Sequence, residues 1–272
     1  MGSEMCIRDR HDLFHLRPRN VIAGDAIVPV GDHSPGLVRK RDLSKLRSGL
    51  NRADLLICIS ESTRMDVMAS FPGKPTALVR HQVDVDYWSP TKNPKPRELL
   101  GDLDDESKML VITVGSDEPR KRLHFAREVL GELPDEVSSD VNVLHIGSEV
   151  KVTDDQLVAA FQHAEVLLFP SACEGFGYPP AEAMAAGCPV MASDLTAHNE
   201  IIPDRCLLDP TSIADWVDEL VRIHSEWRKS GGVPSHPDEE LINHVKSLLS
   251  PDSHGKSLAD AYDLAVRPTQ NV

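Results

Sequence analysis

Residues 170–190, PSACEGFGYPPAEAMAAGCPV, follow the short apolar run VLLF and decide how the surrounding chain folds. The glycines on either side of Phe176 permit a tight turn, and the two prolines that follow suit the first turn of a helix. AEAMAA continues that helix until Gly187 ends it, and CPVMAS begins the next strand. The stretch therefore predicts a strand, a loop, a helix and a second strand, which is one unit of a parallel α/β sheet.

Short apolar runs of the same kind recur along the chain. They occupy residues 55–60, 109–115, 141–147, 164–170 and 188–193. Between the later runs, residues 120–133 and 154–163 place their apolar side chains at the 3.6-residue spacing of a helix. Strands that are apolar on both faces and alternate with helices predict an α/β fold with a doubly wound parallel sheet.

Length and composition exclude several classes of protein. The chain has 272 residues, of which 40% are hydrophobic, and a formal net charge of −14, which argues against a general nucleic-acid-binding protein. It has no apolar run near the roughly 20 residues that a membrane-spanning helix needs. The five cysteines form no CxxC pair and the twelve histidines no HExxH motif, so the sequence predicts neither a disulfide framework nor a metal site.

Glu174 and Glu182 flank the turn in the opening stretch, the first on the loop and the second in the expected first turn of the helix. In an open α/β sheet, ligands bind at the carboxyl ends of strands, where this loop lies. A helix N-terminus binds phosphate, and carboxylates accept hydrogen bonds from neighbouring hydroxyls. Arg120 and Lys121, which we expect to open another helix, supply cations. The set predicts a ligand with two polyols around a phosphate bridge, such as a nucleotide sugar, although either glutamate alone could simply stabilise a helix terminus.

The spacing E-x7-E in EGFGYPPAEAMAAGCPV resembles that of the retaining nucleotide-sugar glycosyltransferases of family 4, which have the GT-B fold. Other stretches resemble the same family. VGSDEPRKR is similar to its diphosphate-binding loop, ADLLICISESTRMDV to a late strand and helix of its N-terminal lobe, VDVDYWSP to its interdomain hinge, and MASDLTAHNEII to the strand and loop beyond the donor site. The resemblance implies two Rossmann-like doubly wound lobes, the N-terminal one incomplete.

The resemblance also implies roles for individual residues. Lys121, helped by Arg120, would neutralise the donor diphosphate, Glu182 would bind the ribose hydroxyls, and Glu174 would hold the transferred sugar. Lys121 and Glu174 are thus the implied catalytic residues. No cofactor and no metal are implied, because protein cations take the place of a metal ion.

Further donor contacts follow from the same resemblance. They are Gly115, Ser116 and the backbone amides of Gly175, Phe176 and Gly177. Many relatives carry an arginine directly after the first glycine of the diphosphate loop, where this sequence has Ser116. Arg122 is therefore a candidate for supplying the missing charge.

The resemblance and the composition together divide the chain into segments. We expect a non-native leader at 1–10, a partial N-terminal acceptor lobe at 11–83, an interdomain linker at 84–98, a C-terminal nucleotide-sugar lobe at 99–250, and a C-terminal helix and tail at 251–272. Residues 36–52 carry six basic residues and one acid, with leucines on one helical face. They predict peripheral contact with the inner face of a membrane or a phosphorylated acceptor, or else a solvated helix whose leucines face the core.

These observations predict a cytoplasmic enzyme. It would transfer a mannose- or glucose-type hexosyl unit from a nucleoside diphosphate sugar to a hydroxyl of a glycan or lipid-linked acceptor, with retention of configuration. Two alternatives stay open. The chain could bind a nucleotide sugar without turnover, because its acceptor lobe is expected to be incomplete. It could also be an epimerase or phosphorylase of the same architecture.

Overall fold

The structure is a computed structural model that describes residues 5–7, 20–23, 26–29, 48, 50–147, 149–195, 197–233 and 237–266. Its strands are β1 (Met5–Ile7), β2 (Asn20–Ala23), β3 (Ala26–Pro29), β4 (Leu56–Cys58), β5 (Thr76–Leu78), β6 (Met109–Val114), β7 (Val141–Ile146), β8 (Val166–Phe169), β9 (Val190–Ser193) and β10 (Leu207–Leu208). Its helices are α1 (Glu61–Ser70), α2 (Val85–Trp88), α3 (Leu123–Gly131), α4 (Asp135–Ser138), α5 (Asp154–His163), α6 (Tyr178–Ala185), α7 (Ile213–Lys229), α8 (Glu239–Leu248) and α9 (Pro251–Val266).

Five parallel strands form the larger sheet, in the order β10–β9–β8–β6–β7. The central strands β8 and β9 are buried along their whole length, because helices cover both faces of the sheet. This sheet and its helices are called the C-terminal lobe below. The predicted doubly wound parallel sheet is confirmed here.

Each face of the larger sheet has its own hydrophobic core. On one face, Phe161 of α5 packs with the apolar side of α6 and α8. On the other face, α3 and α7 meet, and the rings of Phe125 and Trp216 lie 5.4 Å apart, edge to face. The 17-residue helix α7 is absent from the sequence prediction, although Trp216, Leu220 and Trp227 recur on its buried face at helical spacing.

A second parallel sheet has the order β1–β4–β5, and α1 packs beside it. We call β4, α1 and β5 the N-terminal unit. The last helix returns to this sheet, because Ala261 of α9 packs with Ile57 and Val79. β1 lies inside residues 1–10 and pairs with β4. That residues 1–10 are a non-native leader stays a prediction.

The expected linker at 84–98 is packed against the C-terminal lobe. The Trp88 ring is buried and meets the ring of Phe161 at 5.5 Å. The Gln162 side chain donates to the carbonyls of Trp88 and Asn93 and accepts from the Lys95 amide. These contacts fix the segment in place, although its three prolines and few aliphatic residues are typical of a linker between domains.

Of the predicted basic helix at 36–52, only residue 48 and residues 50–52 lie within the described residues. Leu50 is fully buried and packs with Leu56 and Phe71 of the N-terminal unit. The membrane contact of residues 36–52 therefore stays a prediction. None of the described helices is both long enough and apolar enough to cross a bilayer.

Candidate active site

Two loops meet at the carboxyl end of the larger sheet, because β6 and β8 are neighbouring parallel strands. The loop after β6 carries Arg120, and the loop after β8 carries Ser171 and Ala172. The Ala172 amide donates to the Arg120 carbonyl at 2.7 Å, and the Ser171 hydroxyl donates to the same carbonyl at 3.1 Å. Hydrogen bonds between protein atoms therefore hold the two loops together.

Glu174 is the centre of this junction. Its Oε1 accepts from Lys121 Nζ at 2.6 Å, from Ser171 Oγ at 2.8 Å and from Arg120 Nη1 at 3.1 Å. Glu174 is only 7% exposed. The structure thus brings together the two predicted cations and the predicted sugar-binding carboxylate.

The ionisation of Glu174 follows from these contacts. Burial by itself raises the pKa of this carboxyl. The positive charges of Lys121 and Arg120, with hydrogen bonds from Lys121 and Ser171, outweigh burial and hold the pKa below its ordinary value. Glu174 is therefore an anion at neutral pH and can accept hydrogen bonds from hydroxyl groups.

The backbone after β6 aims Lys121 at this carboxylate. Lys121 ends a 3-10 turn, Pro119–Lys121, and Arg122 follows in the left-handed conformation with φ 52°. The methylenes of Lys121 pack on Gly115, where a Cβ would stand 3.4 Å from Lys121 Cδ. The expectation that Arg120 and Lys121 open the helix is wrong, because the left-handed Arg122 separates their turn from α3.

Arg122 does not supply charge to the diphosphate loop. Its side chain is fully buried, and Nη1 donates to the Pro210 carbonyl at 2.7 Å. Its guanidinium carbon lies 4.2 Å from the centre of the Phe125 ring. The candidate role of Arg122 as a replacement cation is therefore wrong, since the side chain lies in the core beneath α3.

Ser116 contacts the carboxylate of Glu118 in the same loop. Its hydroxyl donates to Glu118 Oε1 at 2.8 Å, and Arg120 Nε donates to the other oxygen of Glu118 at 2.9 Å. Burial raises the pKa of Glu118, but the Ser116 hydrogen bond and the charge of Arg120 outweigh it and lower that pKa. Arg120 thus contacts two carboxylates, those of Glu118 and Glu174.

Helix α6 begins after Gly177, whose φ of 100° suits glycine, and Pro179 and Pro180 lie in its first turn as predicted. Glu182 is the fifth helical residue, so it lies one residue beyond the expected first turn. Burial raises the pKa of Glu182 to about 7. In the described part of the chain, no hydrogen bond or ion pair joins Glu182 to the other predicted site residues.

The end of α6 also matches its sequence. Gly187 adopts a positive φ of 78° directly after the helix, as predicted. Its amide donates to the Met184 carbonyl and the Cys188 amide donates to the Ala183 carbonyl, which together form a Schellman motif. The helix is therefore closed at both ends by glycine. Residues 174–178, which carry Glu174 and end at the first residue of α6, are called the 174–178 loop below.

Two site residues are missed by the sequence prediction. Ser171 is buried and donates to Glu174, and its position inside the opening stretch could have indicated this. His81 follows β5, stacks on the Tyr178 ring at 5.1 Å and meets the Phe176 ring edge to face at 5.2 Å. Nothing local in the sequence indicates that contact. Among the described residues, no group of three potential metal ligands is placed to hold an ion.

Comparison with known proteins shows which family the region around the site resembles. Residues 106–226, which contain both loops and both glutamates, match the family model described as glycosyl transferases group 1. This match covers less than half of the chain, so it is the region 106–226 that resembles the family. The matched region starts just before β6 and ends within α7.

The chain is similar to mannosyltransferases. It is 25% identical to the serotype-specific mannosyltransferase WbdA of Escherichia coli, over 75% of this chain and 27% of WbdA. It is 29% identical to the MMP alpha-(1->4)-mannosyltransferase of Mycolicibacterium hassiacum, over 62% of this chain and 44% of that protein. The chain thus spans less than half the length of either relative.

A solved structure shows the same fold. The crystal structure of Anabaena Alr3699/HepE in complex with UDP and glucose superposes with a TM-score of 0.65 at 15% identity, over 85% of this chain and 69% of that one. The predicted GT-B fold is confirmed.

Proposed function

We propose that this chain transfers a mannose- or glucose-type hexosyl unit from a nucleoside diphosphate sugar to a hydroxyl group of a glycan or lipid-linked acceptor, with retention of configuration. The observation that carries the proposal is the convergence of Lys121 and Arg120 on Glu174, where β6 and β8 end. Cations and a carboxylate at one point match a ligand in which a diphosphate adjoins a sugar.

Lys121 would act on the leaving group. As the bond to the sugar breaks, negative charge develops on the diphosphate, and a preorganised ammonium stabilises that charge more in the transition state than in the ground state. The packing of Lys121 on Gly115 holds its chain in place before the donor arrives. Arg120, within reach of both Glu118 and Glu174, would add a second cation.

The two glutamates would hold the hydroxyl groups on either side of the diphosphate. Ionised Glu174 accepts hydrogen bonds from the transferred sugar, beside the amides of Gly175, Phe176 and Gly177. Glu182 accepts from the two ribose hydroxyls, one for each carboxylate oxygen. Since the ionised form of Glu182 is the one that accepts from both hydroxyls, donor affinity rises as pH rises through about 7.

The relatives support a mannose-type donor, because WbdA and the Mycolicibacterium hassiacum protein are both mannosyltransferases. HepE was crystallised with UDP and glucose, which supports a nucleoside diphosphate and a hexose as ligands of this chain. The proposal includes a cytoplasmic location with contact at the inner face of a membrane through residues 36–52, which would bring the enzyme to a lipid-linked acceptor.

Titration calorimetry tests the donor site. The full chain would be titrated with UDP, GDP and ADP and with their glucose or mannose forms, alongside Lys121→Ala and Glu182→Ala. One of the three nucleoside diphosphates, with its sugar forms, is expected to bind the wild type. Each substitution should weaken that binding by about 1–3 kcal/mol, the usual effect of losing a charge-assisted hydrogen bond. Lys229→Ala, on an exposed position at the end of α7, serves as the control. A folded wild-type chain that binds none of these ligands would contradict the proposal.

Product analysis separates transfer from the alternatives. Incubation with the bound nucleotide sugar and a mannose- or glucose-terminated oligosaccharide should release the nucleoside diphosphate and extend the acceptor. Binding without release would favour a binding module. Release of a free epimer without acceptor would favour an epimerase, and either result would replace the proposed reaction.

A further inference from the structure

The start of α1 is closed by a side chain from the C-terminal lobe. Glu200, in the loop after β9, accepts the Glu61 amide at 2.6 Å through Oε2 and the Ser62 amide at 2.7 Å through Oε1. The next amide, that of Thr63, donates to the Ser60 hydroxyl at 3.1 Å. The first three amides of α1, which a helix cannot satisfy internally, therefore all have partners.

This contact is strong for physical reasons. A carboxylate at a helix N-terminus accepts charge-assisted hydrogen bonds and meets the positive end of the helix dipole. Ser60, Ser62 and Thr63 are buried, so water has little access to the amides if the carboxylate is removed. The Glu200 side chain is itself only 13% exposed, and Arg80 Nη2 lies 3.6 Å from its Oε2. One residue of the C-terminal lobe thus anchors the N-terminal unit.

The neighbour of Glu200 in sequence contacts the candidate active site. Ile201 is buried, and a Cβ built on Gly177 would lie 3.5 Å from Ile201 Cδ1. Gly177 ends the loop that holds Glu174 and precedes α6. A displacement of Glu200 would therefore move a side chain that packs directly against this loop.

The other partner of Glu200 leads to the same loop. Arg80, which pairs with Glu200, is followed by His81. The His81 ring stacks on Tyr178 and meets Phe176 edge to face. It therefore contacts the loop from the side of the N-terminal unit. Glu200 is thus linked to residues 174–178 by two routes, one through Ile201 and one through the Arg80–His81 segment.

We propose that Glu200 is a positioning residue. It fixes the N-terminal unit on the C-terminal lobe and thereby sets the placement of the 174–178 loop, which carries Glu174. The importance of the 174–178 loop for sugar transfer rests on the proposed function. The contact between Glu200 and the start of α1, and its effect on the loop, do not rest on it. A role confined to capping α1 is the competing explanation.

Amide hydrogen exchange followed by NMR on the full chain separates the two explanations. In Glu200→Ala, the Glu61 and Ser62 amides should exchange at least about tenfold faster, and so should the amides of residues 174–178. Glu200→Gln keeps one acceptor oxygen and should give an intermediate result, which also covers the case in which the alanine variant does not fold. Glu226→Gln, whose exposed carboxylate pairs with Arg222 on α7, is the matched control and should leave both regions unchanged.

Faster exchange at Glu61 and Ser62 alone would overturn the positioning role, because Glu200 would then only cap the helix. Unchanged exchange at both regions would overturn the contact itself. Equal effects in the Glu226→Gln control would show a general loss of stability, and would also overturn the proposal.

Turnover provides a second readout that a purely structural cap would not move. With the nucleotide sugar that binds best in the titration, kcat of Glu200→Ala should fall at least about tenfold, while KM and the affinity for the nucleoside diphosphate change little. A parallel loss of kcat and nucleotide affinity would contradict positioning. If the wild-type chain binds no nucleotide sugar, the proposed function fails, and the exchange experiment still decides the role of Glu200.

Discussion

Replacing Glu182 by glutamine should stabilise the protein at high pH and weaken its donor site. Burial raises the pKa of Glu182 from an ordinary value of 4.5 to about 7. A raised carboxyl pKa means that the folded state binds its proton more tightly than the unfolded state does. The stability that this proton provides is fully present below pH 4.5 and is lost as pH rises through about 7.

The magnitude follows from the two pKa values. The interval from 4.5 to about 7, at about 1.4 kcal/mol per pH unit, gives about 3.5 kcal/mol as an upper figure for the cost of ionised Glu182 at pH 8. Glutamine has the same shape and carries no charge. Glu182→Gln should therefore be as stable as the wild type near pH 4 and more stable by up to about 3.5 kcal/mol at pH 8.

Urea denaturation of the wild type and Glu182→Gln, at intervals between pH 4 and pH 8, measures this difference. Glu226→Gln is the control, because its carboxylate is exposed and its pairing with Arg222 is worth little. A stability difference that does not change with pH would refute the reasoning, since burial of the charge would not be its source. The same variant should bind nucleotide more weakly at pH 8. Wild-type Glu182 would then lower the stability of the fold in exchange for donor binding.

Three further predictions concern the backbone. Arg122 is buried against Phe125 and adopts a left-handed backbone conformation. Both Arg122→Ala and Arg122→Gly should therefore lower the free energy of unfolding, measured by urea denaturation. The glycine variant should be more stable than the alanine variant by about 1 kcal/mol, because glycine adopts positive φ without strain. Equal stabilities would contradict strain at this position. Gly187→Ala should lower Tm markedly, because φ is 78° there and a Cβ would lie 2.6 Å from Pro237 Cβ. Gly255→Ala, in α9 with no atom within 4 Å of the new Cβ, should be neutral or stabilising by up to about 1 kcal/mol in the same measurement.

The C-terminal lobe could largely be predicted because its signals are local. Helix α5 spans the predicted residues 154–163, and Thr153 caps it with Gln156 in a capping box. Apolar strands with helices between them leave few architectures other than a doubly wound sheet. Two of the strands that went unpredicted are β5, with three residues, and β10, with two, which are too short to show a periodic pattern.

The candidate site was predicted in part. Glycine and proline fixed the loop and the start of α6, because their backbone preferences act within a few residues. The position of Lys121 relative to α3 was not predicted, because arginine rarely adopts positive φ and Arg122 does so here with its side chain in the core. Helix α7 differs from these cases, because its amphipathic pattern is clear and its sequence was sufficient to predict it.

The sequence by itself determined the class of fold, the alternation of strands and helices from β6 to β9, and the two glutamates around the turn, because hydrophobic spacing and turn chemistry are properties of neighbouring residues. Only the tertiary structure decided which side chains meet. Lys121 and Glu174 are 53 positions apart, and Glu200 is 138 positions from the Ser62 amide that it accepts. Such contacts depend on which strands lie side by side and on how the lobes pack. That arrangement minimises the free energy of the whole chain, and no short stretch of sequence encodes it.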